Sequence, residues 1–561
     1  MKLLLSAILL IVFKFSFAYL STNPDSIRGA LRLERTCYDV TFYDLNVDID
    51  PDRKRIVGSN DIYFTAKEKS NTIQVDLFRQ YKIEGIQLFV LSGSGAIFKS
   101  VKLNLERIED AMFLSFSDSL IIGAKYKLRI QYNGFPNIAK KAPWDGGFVW
   151  SKDSLGRHFC GVACEGWGAS SWWPCKDHLA DEPDSMQMTF TVPLGYDCIS
   201  NGNLIKTDVI TEPGEIGLFL FNSYTWKVSY PINTYNVSFY LGNFDVVKDD
   251  YISGSDTLKT SFYALDYNIK KAKVQFEQVG PMLKIYEDLF GKYPFWNDGY
   301  KLVEAPYLGM EHQSGIAYGN KYKNGYLGHQ PKGVDFDYII IHESGHEYWG
   351  NSVSMQDLAD MWIHESFCTY TESLYAERMY GKEVAINYLY AQRIRMSHDE
   401  PIVGEFGINQ EGSGDMYNKG AWMLHTIRNV VANDSLWFKA LKEFALDFKL
   451  RSTNSKEVLA WFESKLGENV KLIMERYLFS ASIPVLEYKE KKMLWKKSIE
   501  YRWKNETEGF KLPIHFIDKR GDKRLVPTSE WQGVKVSSFE KVRSIFSWKY
   551  ELFDIEKVEK R

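Results

Sequence analysis

Apolar and polar residues alternate along "YDVTFYDLNVDID" (38–50), break at "PDRK", and alternate again to residue 66. A period of two marks half-buried strands. "MQMTFTVP", "SYTWKVSYPI" and "YNVSFYLGNF" continue the theme, which predicts a large antiparallel β domain over 25–245. Near residue 265 the period changes. "DYNIKKAKVQFEQVGPMLKIYEDLFG" (266–291) has helical spacing and ends at Gly291, with Pro294 soon after. A short strand, "YKLVEAP", precedes "YLGMEHQSG", and helical stretches then cover 335–350, 360–380, 418–432 and 434–449. After "IPVLEY" (483–488) the spacing is strand-like again, through "MLWKKSIEYRWK", "FKLPIHFID" and "KRLVPTSEW". The pattern predicts a multi-domain α+β chain: the N-terminal antiparallel β domain, a mainly helical domain over 246–482, and a small C-terminal β domain over 483–561. Lys491, Lys492, Lys496 and Lys497 read as a solvated face of the last.

Composition narrows the function classes. A chain of 561 residues is too long for one core. A net charge of −3 offers no concentrated basic surface, so a nucleic-acid partner is not expected. Aromatic content of 15% suits β domains and aromatic-lined clefts without naming a ligand. "MKLLLSAILLIVFKFSFA" (1–18) has Lys2, an apolar run, and Ser16 and Ala18 at the −3 and −1 positions of a cleavage site. It reads as a secretory signal peptide, and its apolar run is short for a membrane span. The expectation is an exported protein, periplasmic or secreted, with no transmembrane anchor once the signal is removed. An exported chain can oxidise its thiols. The clustering of Cys160, Cys164 and Cys175 makes one disulfide among them an expectation, and their spacing is not that of a zinc finger.

The candidate chemistry lies in "IIIHESGHEYWG" (339–350). His342 and His346 are one helical turn apart and share a face, so both imidazoles can grip one Zn²⁺. Glu343 is placed to act on a water at that metal without being a ligand. A catalytic zinc usually takes a third protein ligand. Eighteen residues after His346 comes Glu365, in the helical stretch "DMWIHESFCTYTESLYAE", and an antiparallel helix pair would swing it over the first helix. Glu372, seven residues on, shares that face and is a candidate acceptor for a ligand histidine's N–H. His364 points roughly 100° away from Glu365 around the helix and is not expected to be a ligand. Gly345, inside the zinc helix, is expected to admit close packing of a neighbouring strand.

The spacing H-E-x-x-H, eighteen residues, E resembles the aminopeptidase N family of gluzincin metallopeptidases, which includes leukotriene hydrolase. "YLGMEHQSG" resembles that family's G-x-M-E-N amine-binding motif, "YNKGAWMLHTIR" the stretch with its catalytic tyrosine, and "CEGWGASSWWPCKDHLADEP" a first-domain segment that supplies a second substrate-binding residue. The resemblance covers nearly the whole chain beyond the signal and lacks the large helical C-terminal domain of longer members. It implies a thermolysin-like catalytic domain and one zinc on His342, His346 and Glu365. It implies Glu343 as general base, Tyr417 as oxyanion donor, and Glu311 and Glu165 as anchors for a peptide's free α-amine beside Gly309 and Met310. Two positions depart from the motif. Leu308 replaces its leading glycine, which bears on how closely backbone and substrate approach, and His312 replaces its closing asparagine and could either add pH dependence or simply pack. The expected function is a zinc aminopeptidase acting on peptides with a free N-terminus. The alternatives are a thermolysin-like endopeptidase and a non-catalytic peptide-binding protein on the same fold.

Overall fold

The structure is a computed structural model that describes residues 24–214, 217–493, 496–506, 509–518, 521–536, 545–546 and 549–559. The expected signal peptide, 1–18, lies outside them.

The N-terminal part is built on an eight-stranded sheet in which Tyr38–Asp50 lies near the middle. That strand runs antiparallel to Arg55–Ala66 and parallel to Ser185–Pro193. Every other pairing in the sheet is antiparallel, as expected, so this is its one parallel pair among the described residues. The chain leaves this sheet after Lys125–Gly134 and returns about fifty residues later, long enough for a crossover. A bulge between Val40 and Phe42 explains the phase of the pattern: Tyr38 and Val40 face the core before it, and Tyr43, Leu45, Val47 and Ile49 after it. The excursion supplies Gly147–Lys152 and His158–Ala163 to a four-stranded sheet and then makes a tight turn at Cys164–Gly168. Asp177 fastens the far side of this turn by accepting from the amides of Ala169 and Ser170.

The middle part opens with a five-stranded sheet whose edge strand, Gly309–Met310, pairs antiparallel with Ile316–Tyr318. Helices α1 (Ile269–Phe276) and α2 (Val279–Phe290) replace the single helix that the spacing suggested. They are followed by α3 (Tyr338–Gly345), α4 (Trp362–Tyr380), α5 (Lys382–Arg393) and α6 (Asp415–Val431). Asp337 caps α3, accepting from the Ile339 amide at 3.0 Å and from Tyr318 Oη at 2.7 Å. Ile339, Ile340 and Ile341 are all buried, so α3 is packed around most of its surface, and His342 within it and His346 at its C-cap sit on a rigid support. Gly345 does admit a close approach, but of a helix: a Cβ there would lie 2.8 Å from Cys368 Sγ on α4. The C-terminal strands Val485–Met493 and Lys496–Trp503 form a hairpin, with Asp554–Lys557 parallel to the first. Their core residues, such as Trp503, Phe516 and Phe553, join one apolar cluster with the helices, whereas the N-terminal sheets have their own.

All six cysteines are buried free thiols, which corrects the disulfide expectation. Cys160 and Cys164 are held apart on one strand and its following turn, where Cys160 Sγ faces Ser151 O and Cys164 Sγ faces Tyr235 O. Among the described residues no helix is long and apolar enough to cross a membrane.

Candidate metal centre

One atom of His342 on α3, one of His346 at its C-cap and one of Glu365 on α4 converge. His342 Nε2 and His346 Nε2 are 3.2 Å apart, and Glu365 Oε2 lies 3.5 Å from the first and 3.6 Å from the second. A tetrahedral ion with bonds near 2.0–2.1 Å separates its ligand atoms by about 3.3 Å, so the triangle has the right size for zinc. The free electron pairs are also in the right places. His342 Nδ1 donates to Glu372 Oε1 at 2.7 Å and His346 Nδ1 to the Trp349 carbonyl at 2.9 Å. Each bond fixes the tautomer that leaves Nε2 unprotonated. Glu365 Oε2 is buried with no hydrogen-bond partner, a costly arrangement unless a cation completes it. Cys368 also lies close to both rings, but its Sγ is turned to the His342 carbonyl at 2.8 Å. The residues present fit a zinc ion on His342, His346 and Glu365.

Glu372 holds its orientation through Tyr388 Oη at 2.5 Å and Gln392 Nε2 at 3.1 Å. Burial pushes the Glu343 carboxyl up to about 7, and the neighbouring rings of His342 and His346 act against that rise. Its Oε1 comes so close to the edge strand that a Cβ on Gly309 would stand 2.7 Å from it. Glycine at 309 rather than 308 is what lets the Glu343 carboxylate reach its place. Leu308 keeps the strand regular, its carbonyl accepting from the Gly319 amide at 2.7 Å. Tyr417 Oη donates to Glu365 Oε1 at 2.9 Å, and burial together with the Glu365 charge keeps the phenol protonated.

One cleft of about 580 Å³ is lined by His342, Glu343, His346, Glu365 and Tyr417 and by Glu165, Gly309, Met310 and Glu311. Carboxylate oxygens of Glu165 and Glu311 and a ring nitrogen of His364 lie within 4.8 Å of one another. Glu311 is buried and accepts from Tyr235 Oη at 3.2 Å. Burial, then the Glu311 charge, push the Glu165 carboxyl well above the usual range. His312 packs rather than titrates near neutrality: it is buried, its Nδ1 is 2.6 Å from Tyr240 Oη, and burial lowers it to about 3.

Comparison with known proteins gives the same picture. The family model described as "Peptidase M1 N-terminal domain" matches residues 40–235, and the one described as "Peptidase family M1 domain" matches residues 274–477. The chain belongs to peptidase family M1. Among M1 relatives, Homo sapiens endoplasmic reticulum aminopeptidase 1 is 22% identical over 422 residues, covering 70% of this chain and 42% of the relative. Aminopeptidase M1-B of Oryza sativa subsp. japonica is 21% identical over 498 residues, covering 83% and 52%. The chain thus spans about half the length of the curated relatives it matches. A solved M1 zinc metallopeptidase of Deinococcus radiodurans, a mutant bound to a Tyr-Ser-Ala substrate, superposes with a TM-score of 0.64 at 20% identity, covering 80% of this chain and 96% of that one. At that identity the likeness establishes a shared M1 fold.

Sequence spacing points to Glu372 and to none of the other groups that hold these side chains in place. Trp349 O, Tyr388, Gln392 and Tyr235 are distant in sequence or act through a backbone carbonyl, so no spacing rule reaches them. His364 was legible only as not being a ligand; its ring turns to the Glu165–Glu311 pair instead.

Proposed function

We propose that the protein is a zinc aminopeptidase that removes the N-terminal residue of peptides. The observation that carries this reading is the pairing of Glu165 and Glu311 within 4.8 Å, in the cleft that also holds His342, His346 and Glu365. Two carboxylates that close repel one another unless a cation sits between them. An α-ammonium group supplies that cation, and anchoring it beside the reacting centre restricts cleavage to the first peptide bond. Zinc, when bound, supplies a Lewis acid that polarises the scissile carbonyl and acidifies the attacking water. Glu343 takes the proton from that water at its carboxylate and delivers it to the departing amide nitrogen. A carboxyl lifted by burial toward neutrality suits both halves of that transfer. Tyr417 turns its hydroxyl from Glu365 to the carbonyl oxygen as negative charge develops there. The backbone of Gly309–Met310, at the open edge of its sheet, pairs with the extended substrate. Export is proposed as well, supported by Lys2, the apolar run and the Ser16/Ala18 cleavage pattern.

The test is hydrolysis of aminoacyl-arylamides with free and with acetylated N-termini, beside Glu343→Gln. The expected result is turnover of the free-amine substrates alone, lowered about 10²–10⁴-fold or more in the variant with zinc retained. Cleavage of blocked peptides at internal bonds would instead make the protein an endopeptidase. Absence of turnover in the zinc-loaded protein would leave a peptide-binding role.

A further inference from the structure

His364 is the residue before a zinc ligand, yet its ring belongs to the amine end of the cleft. Its Nε2 accepts a hydrogen bond from the Met355 amide at 2.9 Å. An imidazole nitrogen that accepts carries no proton, so in the neutral ring Nδ1 bears the hydrogen. Nδ1 is buried and has no partner. Glu165 Oε1 is also buried without a partner, and the carboxylates of Glu165 and Glu311 stand within 4.8 Å of the His364 ring. An orphaned donor and an orphaned acceptor on such neighbouring residues each go without a hydrogen bond until they meet. The same tautomer excludes a second metal on this trio, because a protonated Nδ1 offers no lone pair.

We propose that His364 is a positioning residue for the amine anchor: its Nδ1–H donates to Glu165 Oε1 when the substrate's α-ammonium seats between Glu165 and Glu311. Each anchoring carboxylate then has one neutral donor on one oxygen, Tyr235 Oη for Glu311 and His364 Nδ1 for Glu165. The other oxygens remain for the ammonium. Held this way, Glu165 keeps one orientation against the seated ammonium, which lowers the ordering cost of binding. The inference rests on the aminopeptidase reading of the cleft.

Two substitutions separate positioning from packing. Glutamine at 364 can keep an acceptor near the place of Nε2 and loses the Nδ1 donor; asparagine keeps a donor near the place of Nδ1 and loses the bond to Met355. With zinc-loaded enzyme and a free-amine arylamide, His364→Gln is expected to raise KM about tenfold, the worth of one hydrogen bond to a charged group, with kcat little changed. His364→Asn is expected to keep KM near the wild-type value even if its Tm falls. The opposite order, with KM lost in His364→Asn and kept in His364→Gln, makes the residue structural and overturns the proposal. So does a wild-type KM in both variants. The wild-type enzyme distinguishes the two levels of the argument: if it cleaves acetylated and free substrates alike, the aminopeptidase reading itself fails and the positioning role falls with it.

Discussion

At the scale of single residues, the centre works because the neighbours of each side chain decide what it can bind. Glu372 shows this for the metal. By accepting from His342 Nδ1 at 2.7 Å it fixes the ring's tautomer and raises the basicity of the opposite nitrogen. Glu372→Ala leaves all three ligands in place, and zinc affinity is expected to fall about 10–100-fold. Competition against a chromophoric chelator reads this directly, and an unchanged zinc affinity would remove Glu372 from its role. Glu165 shows it for the substrate. Burial and the Glu311 charge raise its carboxyl in the free protein, whereas a bound ammonium favours the ionised form. Binding therefore releases a proton, and affinity rises with pH through the Glu165 pKa. It falls again as the substrate α-amine deprotonates near about 7.7–8.0. Calorimetry on the zinc-loaded Glu343→Gln protein, in two buffers of different ionisation heat, should detect that proton. Replacing Glu311 with glutamine removes the like charge, so the acid limb should move to lower pH. An affinity that is flat on the acid side would sink the paired-carboxylate account. His342, His346 and Glu365 were legible in the sequence because helical spacing alone places two on one face and the third on the next helix. Glu165 came only from resemblance, since no local pattern ties a turn of the β domain to a helix almost two hundred residues further along.

Between elements, the decisive contact is that of α3 with α4. The lone pairs meet only if the two helices approach closely, and Gly345 makes the approach possible. A Cβ there would stand 2.8 Å from Cys368 Sγ, tighter than such contacts normally allow. Alanine is the better helix former by about 1 kcal/mol, but overpacking a rigid interface costs about 1–3 kcal/mol. Gly345→Ala is therefore expected to destabilise the protein by roughly 1 kcal/mol in urea unfolding, despite its propensity. Combining it with Cys368→Ala should recover part of that loss, giving a favourable coupling energy in the double-mutant cycle. Simple additivity would mean that the two helices adjust freely. The periodicity foretold that both helices exist, and it correctly put Glu365 over α3. It could not say that a helix rather than a strand would press on Gly345, because a glycine records closeness without recording what comes close. The break between α1 and α2 was hidden for a similar reason: the apolar spacing carries on across Glu277 and Gln278, whose backbone stays in the right-handed helical region while their amides bond three residues back instead of four.

On the scale of the whole molecule, the cleft is a meeting of separately folded parts. The N-terminal β part brings Glu165, the turn after the edge strand brings Glu311, and the helical part brings His342, Glu343, His346 and Glu365. The change from period two to helical spacing near residue 265 made this order of parts readable, while the parallel return of Ser185–Pro193 beside Tyr38–Asp50 was not, because pairing partners leave no mark in alternation. The assembly has an electrostatic consequence. The residues lining the cleft include the glutamates Glu165, Glu311, Glu343, Glu365 and Glu411 and neither lysine nor arginine. A bound zinc offsets only part of that charge. Glu411 stands outside the metal and amine sites, and burial together with the Glu365 charge raises its carboxyl. A second cation in the substrate would relieve the excess, and an anion would add to it. Arylamides of arginine and lysine should therefore be cleaved with higher kcat/KM than those of aspartate and glutamate, and the difference should shrink as salt screens the field. Glu411→Gln should narrow the arginine-to-glutamate ratio by about fivefold, the effect of roughly 1 kcal/mol from one charge near the surface, with little change for a leucine substrate. Equal rates for basic and acidic substrates at low salt, or a ratio indifferent to Glu411, would show that side-chain choice is made by the shape of the cleft and not by its charge.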